Sequence, residues 1–273
     1  MASLQSNIGA SLNRKRKLSR IKKFGAYFVF ILFFLSLANL GLTNQKVRIN
    51  NIEISGNSTV LTDKIMEIVE NSLNVKYLWI IPTDNIILLR RSEIKNHILN
   101  NFKKINSVDI SIHGINKIEI TVTEREVKYL WCKGTPISQK DCYFMDTEGF
   151  VFERAPVFSE DAFTEYFGLI LDENPIGQTY LINKFKDITG LFSAFEKMSF
   201  QPINFNTVNE HEYEIYIVGG GRILINDKKS FESSLTNLQA LVDNKYIKND
   251  VESLKKIKYI DLRFGNKVNF ELK

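Results

Sequence analysis

Apolar and polar residues alternate in three ways along this chain. Phe24 to Leu42, FGAYFVFILFFLSLANLGL, is a stretch of 19 residues without a charge. As a helix rising about 1.5 Å per residue it spans roughly 29 Å, one hydrocarbon core. From residue 47 onward the apolar runs are short and periodic. Ile52 and Ile54 alternate with polar neighbours, as do Val108, Ile110 and Ile112, and then Ile118, Ile120 and Val122. A period of two predicts strands buried on one face. Between them, Ile65, Ile68, Val69 and Leu73, and then Ile94, Ile98, Leu99 and Phe102, recur at helical spacing. Thr62 is the expected N-cap of the first helix, and Ser92 opens the second. The order over residues 47–125 is strand, helix, helix, strand, strand.

The second half predicts a β-rich domain with two helices. Strands are expected at Val127 to Trp131, Tyr143 to Met145, the FVFE segment and Tyr166 to Leu171. Leu181, Phe185, Ile188, Phe192 and Phe195 place a helix at about 180–198; Phe231, Leu235, Leu238 and Val242 place another at about 228–244. Tyr213, Ile215 and Ile217 form a strand, three glycines follow, and Ile223 and Ile225 continue as a second strand. A phosphate loop leads from a strand into a helix whose N–H groups face the anion. Here the glycines join two strands, and a hairpin turn accounts for them. Ile260, Leu262 and Phe264 alternate before Gly265-Asn266, and Val268, Phe270 and Leu272 alternate after it, which is another hairpin.

Charge changes the picture at one end only. Residues 1–23 hold seven basic side chains, Arg14 to Lys23, and no acid; residues 24–273 carry 29 basic against 31 acidic side chains. The formal net charge of +5 therefore resides in the N-terminus, and nucleic acid is not an expected partner of the folded part. A basic cluster before an apolar span sets the N-terminus inside and everything after Leu42 outside. The alternative is a cleaved signal peptide ending near Ser36 and Ala38. The long basic lead and long apolar run favour an uncleaved single-pass anchor in the cell (inner) membrane, in contact with lipid.

Candidate chemistry is sparse. His97, His113 and His211 have no partner at metal-ligand or triad spacing, and the acidic pairs Glu124/Glu126 and Asp141/Asp146 read as solvated charges at strand ends. No catalytic residue, cofactor or metal is expected. Cys132 and Cys142 are the two cysteines. Outside the cytoplasm they are disulfide candidates, the alternative being two separate thiols.

The strand–helix–helix–strand–strand order, with a first strand ending in SGN and a last one running into TER, resembles a POTRA domain. Behind a single membrane helix this arrangement resembles the FtsQ/DivIB family of cell-division proteins. Two later segments fit that resemblance: CYFMDTEGFVFERAP, with Asp146, Gly149, Val151 and Phe152, and YIDLRFGNKV, with Asp261, Leu262 and Arg263. Asn116 and Val127 stand where the family often has proline. The fold class implied is α+β: a cytoplasmic tail (1–23), one transmembrane helix (24–42), a POTRA domain (47–125, β-α-α-β-β) and a β-rich second domain with flanking helices (126–273). The resemblance implies a non-enzymatic scaffold at the division septum. It would bind small membrane coiled-coil division proteins and, through them, the septal wall synthase complex. Partner binding is expected around the last strands, at Asp261, Leu262, Arg263, Phe264, Lys267, Val268, Asn269, Phe270 and Leu272. A POTRA-bearing secretion or transport component and an exported cell-wall hydrolase are the competing readings. The first calls for a membrane barrel and the second for a catalytic set.

Overall fold

The computed structural model describes residues 22–34, 36, 45–74, 76–77, 81–82, 84–136, 141–157, 163–170, 172–228, 230–248, 250–265 and 267–273. Residues 22–34 are helical (α1) and their side chains are exposed. Among the described residues no helix is long and apolar enough to cross a membrane. Residues 35 and 37–42 of the expected span lie outside them, as does most of the basic tail. The chain divides into two compact units between Thr123 and Glu124.

In the first unit β1 (Asn51–Ser55) is followed by α2 (Thr62–Leu73), the short pair β2 (Lys76–Tyr77) and β3 (Ile81–Pro82), α3 (Arg91–Asn101), β4 (Ile105–His113) and β5 (Lys117–Glu124). The sheet order is β1-β5-β4, with β1 parallel to β5 and Ile52 and Ile54 opposite Ile118 and Ile120. Ile65 and Val69 of α2 and Ile94 and Ile98 of α3 pack onto Ile118, Ile120 and Val122 in one core. Each such buried side chain contributes about 1.5–3 kcal/mol. Both helices begin one residue earlier than their polar residues suggest. The residue before α2 is Leu61, and the Thr62 hydroxyl accepts from the Asn57 side-chain amide at 2.9 Å instead of capping.

The second unit is built on one nine-stranded sheet. Its strands are β6 (Tyr129–Lys133), β7 (Asp141–Met145), β8 (Val151–Arg154), β9 (Glu165–Phe167), β10 (Pro202–Thr207), β11 (Glu212–Ile217), β12 (Gly221–Asn226), β13 (Ile257–Phe264) and β14 (Lys267–Leu272). They lie in the order β14-β13-β12-β11-β10-β9-β6-β7-β8. Helices α4 (Phe185–Lys197), α5 (Phe231–Asp243) and α6 (Val251–Lys255) interrupt the strand sequence, and their apolar residues share one core with Tyr166, Phe205, Ile215, Ile223 and Ile260.

The glycine run is the β11–β12 hairpin turn: Gly219 and Gly220 take φ of 95° and 79°, and the Gly220 N–H closes onto the Ile217 carbonyl. Helix α4 starts at Phe185, five residues later than the apolar spacing suggests. Leu181 and Asn183 adopt φ of 47° and 66°, which no right-handed helix accommodates. Tyr180, just upstream, is fully buried, and its hydroxyl donates to the Phe167 carbonyl at 2.8 Å. Strand β9 likewise stops at Phe167, where Gly168 turns the chain away at φ 85°.

Candidate functional site

The two ends of the nine-stranded sheet differ. At one end the outer side of β8 is covered by its own chain: Val151 N–H donates to Gln178 O (2.9 Å), Gly177 N–H donates to Val151 O (2.7 Å), and Phe150 bridges Thr179. At the other end β14 pairs with β13 alone among the described strands. Lys273 N–H donates to Lys256 O at 2.7 Å, which fixes the phase of the ladder. Both register shifts put the extra residue on β13, so alternation along β14 is unbroken. The N–H groups of Asn269 and Glu271 therefore face β13, and those of Val268, Phe270 and Leu272 face away. Phe270 stands opposite Ile260 and Leu272 opposite Ile257, on the face that carries the core. Here at the rim, however, Phe270 is 37% exposed and Leu272 49%, while Phe264, in register with Lys267, is 58% exposed. The other face of the strand bears Lys267, Asn269 and Glu271, the last paired with Lys258 at 2.8 Å.

The nine expected docking residues thus fall into two groups. Lys267, Val268, Asn269, Phe270 and Leu272 form the open edge, and Phe264 lies beside it at the hairpin. Asp261 and Leu262 are buried in β13, between two paired strands. Asp261 accepts from Arg263 through its backbone N–H (3.1 Å), Nε (3.0 Å) and Nη2 (2.7 Å), and Arg263 reaches on to Glu212 at 3.3 Å. This Asp-Leu-Arg element ties β13 to β11. The earlier Asp-x-x-Gly element is structural in the same sense. Asp146 Oδ1 accepts from the N–H groups of Glu148 and Phe150 (2.9 Å each), and Oδ2 pairs with Arg125 at 2.5 Å. Gly149 turns at φ 81°, where a Cβ would lie 2.9 Å from the Phe185 ring.

Residues 47–125 match the family described as POTRA domain, FtsQ-type. The match covers the first unit from just before β1 to the end of β5. A search of curated proteins finds no match to the chain. The POTRA domain has an edge of its own in β4, but that strand exposes Asn106, Ser107 and Asp109, and the Arg91 guanidinium reaches the Ile110 carbonyl at 3.5 Å. Polar and charged side chains of this kind protect an edge from pairing. Strand β14 also carries Lys267 and Glu271 on one face, but its other face presents the partly exposed Phe270 and Leu272.

The histidines occupy ordinary polar settings. His97 Nδ1 meets Ser72 Oγ at 3.0 Å, and His113 Nε2 meets Glu119 at 2.9 Å. His211 joins a cluster in which the Asp227 carboxylate also takes the Lys184 ammonium and the Tyr213 hydroxyl (2.8 Å), with His211 Nδ1 at 2.7 Å. Burial alone raises the Asp227 carboxyl pKa; the hydrogen bonds from Lys184, Tyr213 and His211 outweigh that and hold it below its ordinary value. Burial, followed by the Asp227 contact, pushes the Tyr213 phenol up to about 12. A carboxyl with a depressed folded pKa adds stability that is fully present above its unfolded pKa and is lost as pH falls through the folded one. Asp227→Asn should therefore lower stability at neutral pH and flatten its decline below about pH 4. Thermal unfolding across acidic pH checks this; parallel profiles for the variant and wild type would show that the cluster adds no net stability.

Cys132 and Cys142 face each other across the β6–β7 ladder and form a disulfide. No free cysteine remains.

Proposed function

We infer that the chain is a membrane-anchored, non-enzymatic scaffold of the bacterial cell-division machinery that holds its partners outside the membrane at the β14 edge. The FtsQ-type POTRA domain carries this reading. The anchor is supported by the uncharged run from Phe24 to Leu42 and by α1, whose residues 27–34 are apolar all round and exposed. A helix without a polar face needs lipid or a protein core around it. The seven basic residues before Phe24 set the N-terminus in the cytoplasm and the two units outside.

Docking follows from what β14 leaves unpaired. A partner segment laid beside it as an extended strand takes the N–H and C=O groups of Val268, Phe270 and Leu272. Its alternate side chains then rest on the apolar rim of Phe270 and Leu272. The partners proposed are the small membrane coiled-coil division proteins and, through them, the septal wall synthase complex. A fluorescent fusion in growing cells tests the assignment. The expected signal is a band at midcell that appears before constriction; a uniform membrane signal throughout the cycle would refute it.

A further inference from the structure

Sheet register gathers three metal-ligand side chains on the face away from the main core. Strand β6 lies between β7 and β9, with Cys132 opposite Cys142 on one side and Leu130 opposite Glu165 on the other. Trp131 and Tyr166 turn into the main core. By alternation Leu130, Cys132, Glu165 and Phe167 turn the other way, where Leu130, Cys132 and Phe167 form a separate small cluster with Cys142 against it. The two sulfurs and a carboxylate oxygen of Glu165 lie within 4.8 Å of one another. Asn204, in register with Glu165 on β10, donates to Glu165 Oε2 at 3.2 Å when its amide nitrogen faces that oxygen. A hydrogen-bonded carboxylate is the usual form of an oriented metal ligand.

We propose that Cys132, Cys142 and Glu165 form a redox-gated zinc site. In the oxidised form the sulfurs are joined and the site is closed to metal. A dithiol reductant breaks the S–S bond, supplying two electrons and two protons, and itself becomes a disulfide. Zinc then displaces the two thiol protons, forming two Zn–S bonds, with Glu165 as third ligand and water as fourth. Two thiolates and a carboxylate match zinc's preference, and Zn–S bonds of about 2.3 Å in tetrahedral geometry need sulfurs about 3.8 Å apart. Side-chain rotation at two directly opposed positions provides that separation without breaking the ladder. The β6–β7 pair is then held in both redox states, by a covalent bond in one and by the metal in the other.

The test uses the purified full-length chain, oxidised or reduced with a phosphine, equilibrated with zinc sulfate and desalted. Zinc is counted by mass spectrometry, affinity is measured against a chromophoric chelator, and cobalt(II) substitution reports thiolate ligation by its charge-transfer absorption. Circular dichroism follows the fold in each state. The reduced chain should retain one zinc and the oxidised chain none. Glu165→Gln should weaken zinc binding by tenfold or more, while leaving the circular dichroism of the oxidised form unchanged. The Cys132→Ser/Cys142→Ser variant should retain no zinc. Equal zinc in the oxidised and reduced chains, no zinc in the reduced chain, or wild-type affinity in Glu165→Gln would each overturn the proposal and leave a structural disulfide only.

Discussion

Asp146→Ala should destabilise the second unit by about 3–5 kcal/mol, the cost of removing one member of a mostly buried ion pair. Asp146 is 7% exposed, and one carboxylate serves three donors: the N–H groups of Glu148 and Phe150 through Oδ1 and the Arg125 guanidinium through Oδ2. Removing it strands two turn amides, each worth about 1 kcal/mol or more, and takes the carboxylate from the Arg125 guanidinium, which lies 4.0 Å over the Phe150 ring. The turn also sets Gly149 against Phe185 and Tyr180, so its loosening reaches the main core. Chemical denaturation of wild type, Asp146→Ala, Arg125→Met and the double variant measures the effect. If the unpaired charge dominates, the double variant should recover part of the loss. A double variant as unstable as the sum of the two singles would place the cost in the turn instead.

Proline at two adjacent positions of β14 should have opposite consequences. Asn269 turns its N–H toward β13, so Asn269→Pro removes a ladder donor and leaves a carbonyl of β13 without a partner, at about 2–3 kcal/mol. For a unit of this size that lowers the melting temperature by roughly 4–12 °C. Phe270 turns its N–H outward, and proline there removes nothing the fold uses. Phe270→Pro should melt within about 2 °C of Phe270→Thr, which loses the same ring and keeps the N–H. Asn269→Thr is the matching control at the other position. Equal melting of the two proline variants would reverse or erase the assigned phase of the strand.

Which residues face inward was largely legible from the sequence; which strands are neighbours was not. The alternation at Ile118, Ile120 and Val122, and at Tyr213, Ile215 and Ile217, named buried faces that the structure shares. Periodicity reports a face and says nothing of a partner. The parallel pairing of β1 with β5, and of β9 with both β6 and β10, joins segments far apart in the chain and has no local signal. Strand β10 went unread because Phe205 is its one fully buried large apolar residue, set between Asn204 and Asn206. Helix α6 is too short to show a period; its signal is the Asp250 side chain accepting from Ser253 N–H at 2.9 Å. At the candidate site the alternation of Val268, Phe270 and Leu272 was visible, and so was a terminal hairpin. The Asp-Leu-Arg element read equally well as a surface motif, because a charged pair in a sequence does not disclose that it closes on itself within a sheet. Only the register put Asp261 inside the sheet and Phe270 on its rim.

The proposed docking edge rests most specifically on its outward main-chain donors. The direct measurement is capture of the proposed partner, a small membrane coiled-coil division protein, by the full-length chain, comparing wild type, Phe270→Thr and Phe270→Pro. Circular dichroism must show all three folded. If a partner strand adds to β14, Phe270→Thr should retain part of the capture, having lost only the ring. Phe270→Pro, which also lacks the outward N–H, should fall by a further tenfold, roughly the worth of one main-chain hydrogen bond in a desolvated ladder. Capture by folded Phe270→Pro equal to that of Phe270→Thr would contradict strand addition at β14.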